Sequence, residues 1–107
     1  MSIYVFVTRK SDPLDEGGPS ITTDEWLKII ESDPDLTHEE PPDHHLVGKA
    51  IYAAWRSYPG GYPAWFALSH GSIEVKGLDE ALLAKLRSFA LRLGGTRIVS
   101  EEGEEFT

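Results

Sequence analysis

The sequence predicts an α+β domain in which two helices lie on one face of a mostly antiparallel sheet of about five strands, in the order β-α-β-β-β-α-β. Three observations predict this fold. Short apolar segments are separated by Pro-Gly turns, a hairpin signature occupies the middle of the chain, and two amphipathic segments each follow a capping residue. We expect residues 1–107 to form a single domain, since the chain has the usual length of one.

The first strand and the first helix have the clearest local patterns. Residues 2–8 alternate, with Tyr4 and Phe6 pointing away from the side taken by their neighbours. Thr22 precedes Glu25 by three residues, which is the spacing of a capping box at the start of a helix. Pro34 limits that helix to about three turns.

A hairpin is predicted at residues 65–76. Two apolar segments flank Ser69-His70-Gly71-Ser72, and a two-residue turn at His70-Gly71 fits because both residues tolerate a positive φ. This register pairs Phe66 with Val75 and Leu68 with Ile73 on the core face. It turns Trp65, Ala67, Glu74 and Lys76 to the other face.

The remaining elements are less strongly marked. Residues 46–55 predict a second strand and residues 96–99 a final one, and a second helix is expected between Asp79 as its cap and Gly94 as its end. Residues 32–45 are acidic and broken by prolines, which indicates an exposed loop. Residues 100–107 are too polar and acidic to pack on their own, which indicates an acidic tail.

The charge is uneven along the chain. Its formal net charge is −8, and residues 1–45 carry eleven acids against three bases. Without a basic footprint, a nucleic-acid partner is not expected. A concentrated acidic region is most simply a solvated surface, but it can also steer a basic protein into contact.

Several features predict a cytoplasmic protein. The chain has no cysteine, which suits a reducing compartment. It has no apolar run long enough to span a membrane, and its first residues do not resemble a secretory signal.

We find no pattern that predicts catalysis or a cofactor. The loop holds a local group of possible metal ligands, His38, Glu39, Glu40, Asp43, His44 and His45. Their spacing is irregular and the loop is broken by prolines, so we expect no structural metal there. No nucleophile motif or phosphate-binding glycine loop is present, and we therefore expect no enzyme.

The three tryptophans have different expected roles. Trp26 lies on the apolar stripe of the first helix and is expected in the core, and Trp55 is undecided. Trp65 faces away from the core with Tyr4 and Phe6, and Tyr52 is a further candidate for that face. Trp65 is therefore either a contact for a partner or a cover for a second small core.

Several short motifs resemble a widespread family of small bacterial proteins that are encoded beside polymorphic and Rhs-type toxins and taken as immunity proteins. The resemblance covers roughly residues 1–32 and 55–106. It rests on Ile21-Thr22-Thr23-Asp24-Glu25-Trp26-Leu27, Ser32-Asp33-Pro34-Asp35-Leu36, Ala64-Trp65-Phe66, Gly71-Ser72-Ile73-Glu74-Val75-Lys76, Leu83-Ala84-Lys85-Leu86, Leu93-Gly94 and Glu101-Glu102-Gly103-Glu104-Glu105-Phe106. The chain departs from the family at Gly77-Leu78, where the family tends to have Asn-Pro, and at Ser100-Glu101-Glu102, where it tends to have Gly-Asp.

The resemblance implies a protein that binds and neutralises a cognate toxin in the cytosol. The charge pattern and the strand alternation suggest the residues of contact, which are Trp65, Asp35, Glu39, Glu40, Asp43, Tyr4 and Phe6. A regulatory or adaptor domain without a toxin partner is the alternative, and an enzyme of an unrecognised type is a third hypothesis.

Overall fold

Two helices and a seven-stranded antiparallel sheet make up the described part of the chain. The computed structural model describes residues 3–13, 17–39 and 50–106. The helices are α1 (Thr23–Ser32) and α2 (Glu80–Leu93). The strands are β1 (Tyr4–Thr8), β2 (Leu36–His38), β3 (Ile51–Trp55), β4 (Ala64–Ser69), β5 (Ser72–Lys76), β6 (Arg97–Ser100) and β7 (Glu105–Phe106). Their order across the sheet is β2-β3-β4-β5-β1-β6-β7, and the α+β prediction is confirmed.

Both helices pack on the same face of the sheet. The core between them takes alternate residues of the strands, including Val5, Val7, Phe66, Leu68, Ile73, Val75 and Ile98. The helices contribute Trp26, Ile29, Ile30, Leu82, Leu86 and Phe89 to the same core. Because successive side chains of a strand point to opposite faces, the residues between these positions lie on a second face without helices.

Three aromatic rings fix the helices to the sheet. Phe89 of α2 meets Trp26 of α1 edge to face at 5.4 Å, and Phe66 of β4 in the same way at 5.2 Å. The indole N–H of Trp26 donates a hydrogen bond to the carbonyl oxygen of Ile51 at 3.0 Å. The core position expected for Trp26 is therefore confirmed, and its polar atom has a partner there.

The hairpin has the predicted register. Phe66 pairs with Val75 and Leu68 with Ile73, while Ser69 and Ser72 close the turn. His70 has a φ of 53° and Gly71 a φ of 78°, which are the positive values that a tight two-residue turn of this kind requires.

The first helix begins with the predicted capping box. The Thr22 hydroxyl accepts from the backbone N–H of Glu25, and the Glu25 carboxylate accepts from the N–H of Thr22. The same carboxylate binds Arg9 with two hydrogen bonds of 2.6 and 2.7 Å. Arg9 also donates to the carbonyl oxygen of Leu93 at the end of α2. One arginine thus joins the start of α1 to the end of α2, a contact that the sequence did not reveal.

This arrangement gives the acid stability of the fold a specific dependence on Glu25. The hydrogen bonds from Arg9, with those from Thr22, lower the pKa of Glu25 from 4.5 to about 2. Since the folded-state pKa lies below the unfolded one, ionised Glu25 stabilises the fold fully above about pH 4.5, and this contribution is lost as the pH falls toward 2. As the pH falls from about 4.5 toward 2, we expect the free energy of unfolding to decrease less for Glu25→Gln than for the wild type.

Urea unfolding at a series of pH values between 2 and 7 measures the effect. Glu31→Gln is the matched control, because Glu31 is exposed on the same helix. Its stability should follow the wild-type pH curve. Identical pH slopes for the wild type and Glu25→Gln would contradict the assignment of this contribution to Glu25.

Two strands occur where the sequence predicted a loop and a tail. Within the predicted acidic loop at 32–45, residues 36–38 form β2, which pairs with β3. The sequence of β2 has little of the pattern that is typical of a strand. Leu36 is buried in the core, and this tertiary contact keeps β2 in the sheet. The predicted tail at 100–107 contains β7, and Phe106 packs against the core. The Ser100 hydroxyl accepts two backbone N–H groups and shapes the turn before β7.

The predicted second strand at residues 46–55 is described only from Ala50 onward. Its visible part is β3, from Ile51 to Trp55, and residues 46–49 lie outside the description. Trp55, which the sequence left undecided, packs against Tyr58 at 5.3 Å and under Lys85, whose Nζ lies 4.7 Å from the ring centroid.

Candidate functional site

The candidate site is the sheet face opposite the helices, which we call the helix-free face. Its central row crosses the sheet through paired residues, with Tyr52 beside Ala67, Ala67 beside Glu74, and Glu74 beside Phe6. Tyr4 and Trp65 belong to the adjacent row. Tyr4 lies two residues before Phe6 on β1, and Trp65 lies two residues before Ala67 on β4. The strand alternation predicted this grouping of Tyr4, Phe6 and Trp65.

The floor of this face is a second, small apolar layer. Phe6, Ala54, Ala67 and Val99 are buried yet lie outside the helix-side core. Phe6 is only 5% exposed, so it supports the face from below and offers little surface to a partner. The structure therefore places it differently from the contact role that the sequence suggested.

Aromatic side chains and the exposed Lys76, which pairs with Tyr4, form the accessible part of the helix-free face. Tyr4 is 42% exposed, and Trp65 and Tyr52 are half-buried. Trp65 lies opposite Ala54 of β3, which has a small side chain. Large rings held on a rigid sheet lose little conformational entropy on binding, which favours them as contacts with another protein.

One end of the helix-free face is closed by the chain segment that follows β1. The hydroxyl groups of Thr8 and Ser72 are 2.7 Å apart and buried, and the Nζ of Lys10 donates to the carbonyl oxygen of His70. Arg97 donates to the carbonyl oxygens of Lys10 and Ser11 and holds this segment in place. This segment covers Thr8 and Ser72, which are both buried.

The acidic residues expected to contact a partner do not share one location: the Glu39 carboxylate accepts from Thr37, which pairs with Ala54 in the row of Trp65, whereas Asp35 lies elsewhere. Asp35 pairs with Lys85 of α2 at 2.8 Å, and Asp33, which is buried, lies 3.2 Å from the same Nζ. This places Asp35 on the helix side of the sheet. Glu40 and Asp43 lie outside the described residues.

Glu39 is engaged within the chain. Its carboxylate accepts hydrogen bonds from the Arg56 guanidinium and the Thr37 hydroxyl, and these lower its pKa to about 2. A partner would therefore have to compete with Arg56 for this carboxylate. The sequence could not show this pair, because seventeen positions separate the two residues.

Glu74 is the functional candidate that the sequence underrated. The hairpin register placed it on the helix-free face, but its charge suggested an ordinary surface residue. It is half-buried instead, and it makes no hydrogen bond or ion pair with another described residue. Burial raises its pKa, and the charge of the nearby His70 imidazole opposes that rise.

An open cavity of about 630 Å³ lies against Glu74. Tyr4, Tyr52, Ser69, His70 and Gly71 line it on the sheet side. Residues 20–23 at the start of α1 line it as well, together with Ala50, Ile51 and Leu68. Ala67 lies between Tyr52 and Glu74 in the register of the sheet.

No three histidine, aspartate or glutamate side chains converge as metal ligands among the described residues. Most of the histidine-rich group at 38–45 lies outside them, so the expected absence of a metal there stays a prediction. No helix in the described part of the chain is long and apolar enough to cross a membrane.

Comparison of the chain with protein-family models, with curated proteins and with solved structures finds no match. The resemblance to immunity proteins thus rests on the short sequence motifs alone.

Proposed function

We propose that this chain is a protein-binding domain that neutralises a partner protein, and that the partner is a cytosolic bacterial toxin. The observation that carries the proposal is the placement of Tyr4 and Trp65 on the helix-free face. The other face of the sheet is filled by the two helices, so these aromatic side chains do not contribute to the main core. Large aromatic side chains that are partly exposed on a rigid sheet are typical of the centre of a protein contact.

The charge of the chain supports a basic partner. Its net charge is −8, and the turn after β6 brings four acids between residues 101 and 105 to one edge of the sheet. Glu101 lies next to Tyr4, since its backbone N–H donates to the Tyr4 carbonyl oxygen and its carboxylate accepts from the Tyr4 N–H. Acids around an aromatic centre would speed the encounter with a basic surface.

An inhibitor role agrees with the sequence motifs that resemble immunity proteins. It also needs only a stable, well-shaped surface, because blocking an enzyme by contact requires no chemistry from the inhibitor. Nucleases and nucleotide-modifying toxins commonly have basic clefts, and an acidic, aromatic surface is complementary to such a cleft.

Co-expression with the product of the adjacent gene tests the proposal. We expect that product to arrest bacterial growth when expressed alone, and this chain to restore growth and to co-purify with it. A stable complex without any toxicity would favour the regulatory or adaptor alternative. Toxicity that this chain does not relieve would contradict the proposed function.

A further inference from the structure

We propose that the cavity beside Glu74 is a receptor for an arginine side chain of the partner protein. This inference deepens the proposed function and rests on it for the identity of the partner, but the cavity can be tested alone.

The Glu74 carboxylate has an unusual position for an acidic group. It occupies the centre of the sheet between Ala67 and Phe6, both of which are buried. A half-buried carboxylate loses part of its hydration, and a cation that approaches it recovers that loss. Glu74 makes no ion pair among the described residues, although the charge of the His70 imidazole acts on it, so its carboxylate is open to pairing with a cationic ligand.

The charge of the cavity lining indicates the charge of the ligand. Glu74 is the one carboxylate among the described residues that line the cavity, and no lysine or arginine is among them. Lys10, which binds the backbone of His70, is only 2% exposed and is not part of the lining. The capping box occupies the start of α1, so the backbone N–H of Thr22 is already bound to Glu25. The lining thus favours a cationic ligand over an anionic one.

The aromatic residues of the lining favour a planar ligand. Tyr4 and Tyr52 line the same cavity as the carboxylate. A planar guanidinium stacks on aromatic rings and makes paired hydrogen bonds to a carboxylate, whereas an ammonium group does not stack in this way. The location of the cavity beside the accessible aromatic residues identifies the source of the guanidinium as a protein surface and not a free metabolite.

A nuclear magnetic resonance titration of the full chain tests the inference without the partner. The probes are arginine blocked at both ends as Nα-acetyl-arginine methylamide, the equally blocked citrulline, which is nearly the same shape but neutral, and spermidine. We expect blocked arginine to shift the amide signals of Ser69, His70, Gly71 and Glu74 saturably, with a dissociation constant of about 1–10 mM. Blocked citrulline should bind about tenfold more weakly or not at all.

Two variants make the test specific to the cavity. Glu74→Gln should weaken the binding of blocked arginine by about tenfold, while Glu102→Gln, which removes an exposed acid outside the lining, should change it by less than about twofold. Equal binding of citrulline and arginine, or no saturable shift with the wild type, would overturn the inference. Spermidine bound more than tenfold more tightly than blocked arginine would overturn it too, because the site would then select a small polyamine. None of these outcomes depends on the identity of the partner, so failure here is distinct from failure of the co-expression test.

Discussion

Replacing Phe89 with alanine is expected to lower the free energy of unfolding by about 3–5 kcal/mol. Phe89 is completely buried and makes edge-to-face contacts with Trp26 and Phe66. Truncation removes the ring that joins α2 to α1 and to the sheet, and it leaves a cavity among side chains that are fixed by their own elements. Alanine is the better helix former, so intrinsic propensity cannot account for a loss.

Leu91→Ala is the matched control for this experiment. Leu91 is two residues further along α2 and is 85% exposed, so its truncation should change the stability by less than about 0.5 kcal/mol. Urea unfolding followed by circular dichroism measures both variants. Similar losses for the two variants, or a loss below about 1 kcal/mol for Phe89→Ala, would show that Phe89 does not anchor the core.

The elements that the sequence predicted well are those with local determinants. The capping box of α1 needs only Thr22 and Glu25, and the hairpin needs only the His70-Gly71 turn with alternating residues on each side. These interactions span a few residues, so their patterns are visible in the sequence.

The missed strands depend on distant contacts. β2 has three residues and β7 has two, which is too short for an alternation to stand out from an acidic background. The burial of Leu36 and Phe106 against other elements holds them in the sheet. Tertiary packing therefore overrides weak local preference at both edges.

Part of the candidate site was predictable, because strand alternation is a local pattern. Alternation placed Tyr4 and Trp65 on one face, and the structure agrees. It could not reveal that Asp35 pairs with Lys85, fifty positions away, or that Glu39 pairs with Arg56. Nor could it show that Glu74 is half-buried, because that depends on the neighbouring strands and on the small size of Ala67.

In the proposed function, Trp65 and Tyr4 form the centre of a contact with a partner protein. Binding of the purified product of the adjacent gene should weaken by about thirty-fold or more in Trp65→Ala, which corresponds to about 2 kcal/mol for a central aromatic contact. Tyr4→Ala should weaken binding in the same direction. Because these losses come from buried apolar contact and not from exposed charge, they should persist at high salt.

Surface-based binding kinetics of four proteins provide the most direct measurement: the wild type, Trp65→Ala, Tyr4→Ala, and Leu91→Ala as the control from the helix side. Circular dichroism verifies that each variant is folded, and Tyr4→Ala keeps the test valid if Trp65→Ala is unstable. We expect Trp65→Ala and Tyr4→Ala to dissociate faster than the wild type from the partner, at low and at high salt. Leu91→Ala should have wild-type kinetics. Wild-type affinity in both Trp65→Ala and Tyr4→Ala, or a loss confined to Leu91→Ala, would contradict the proposed contact.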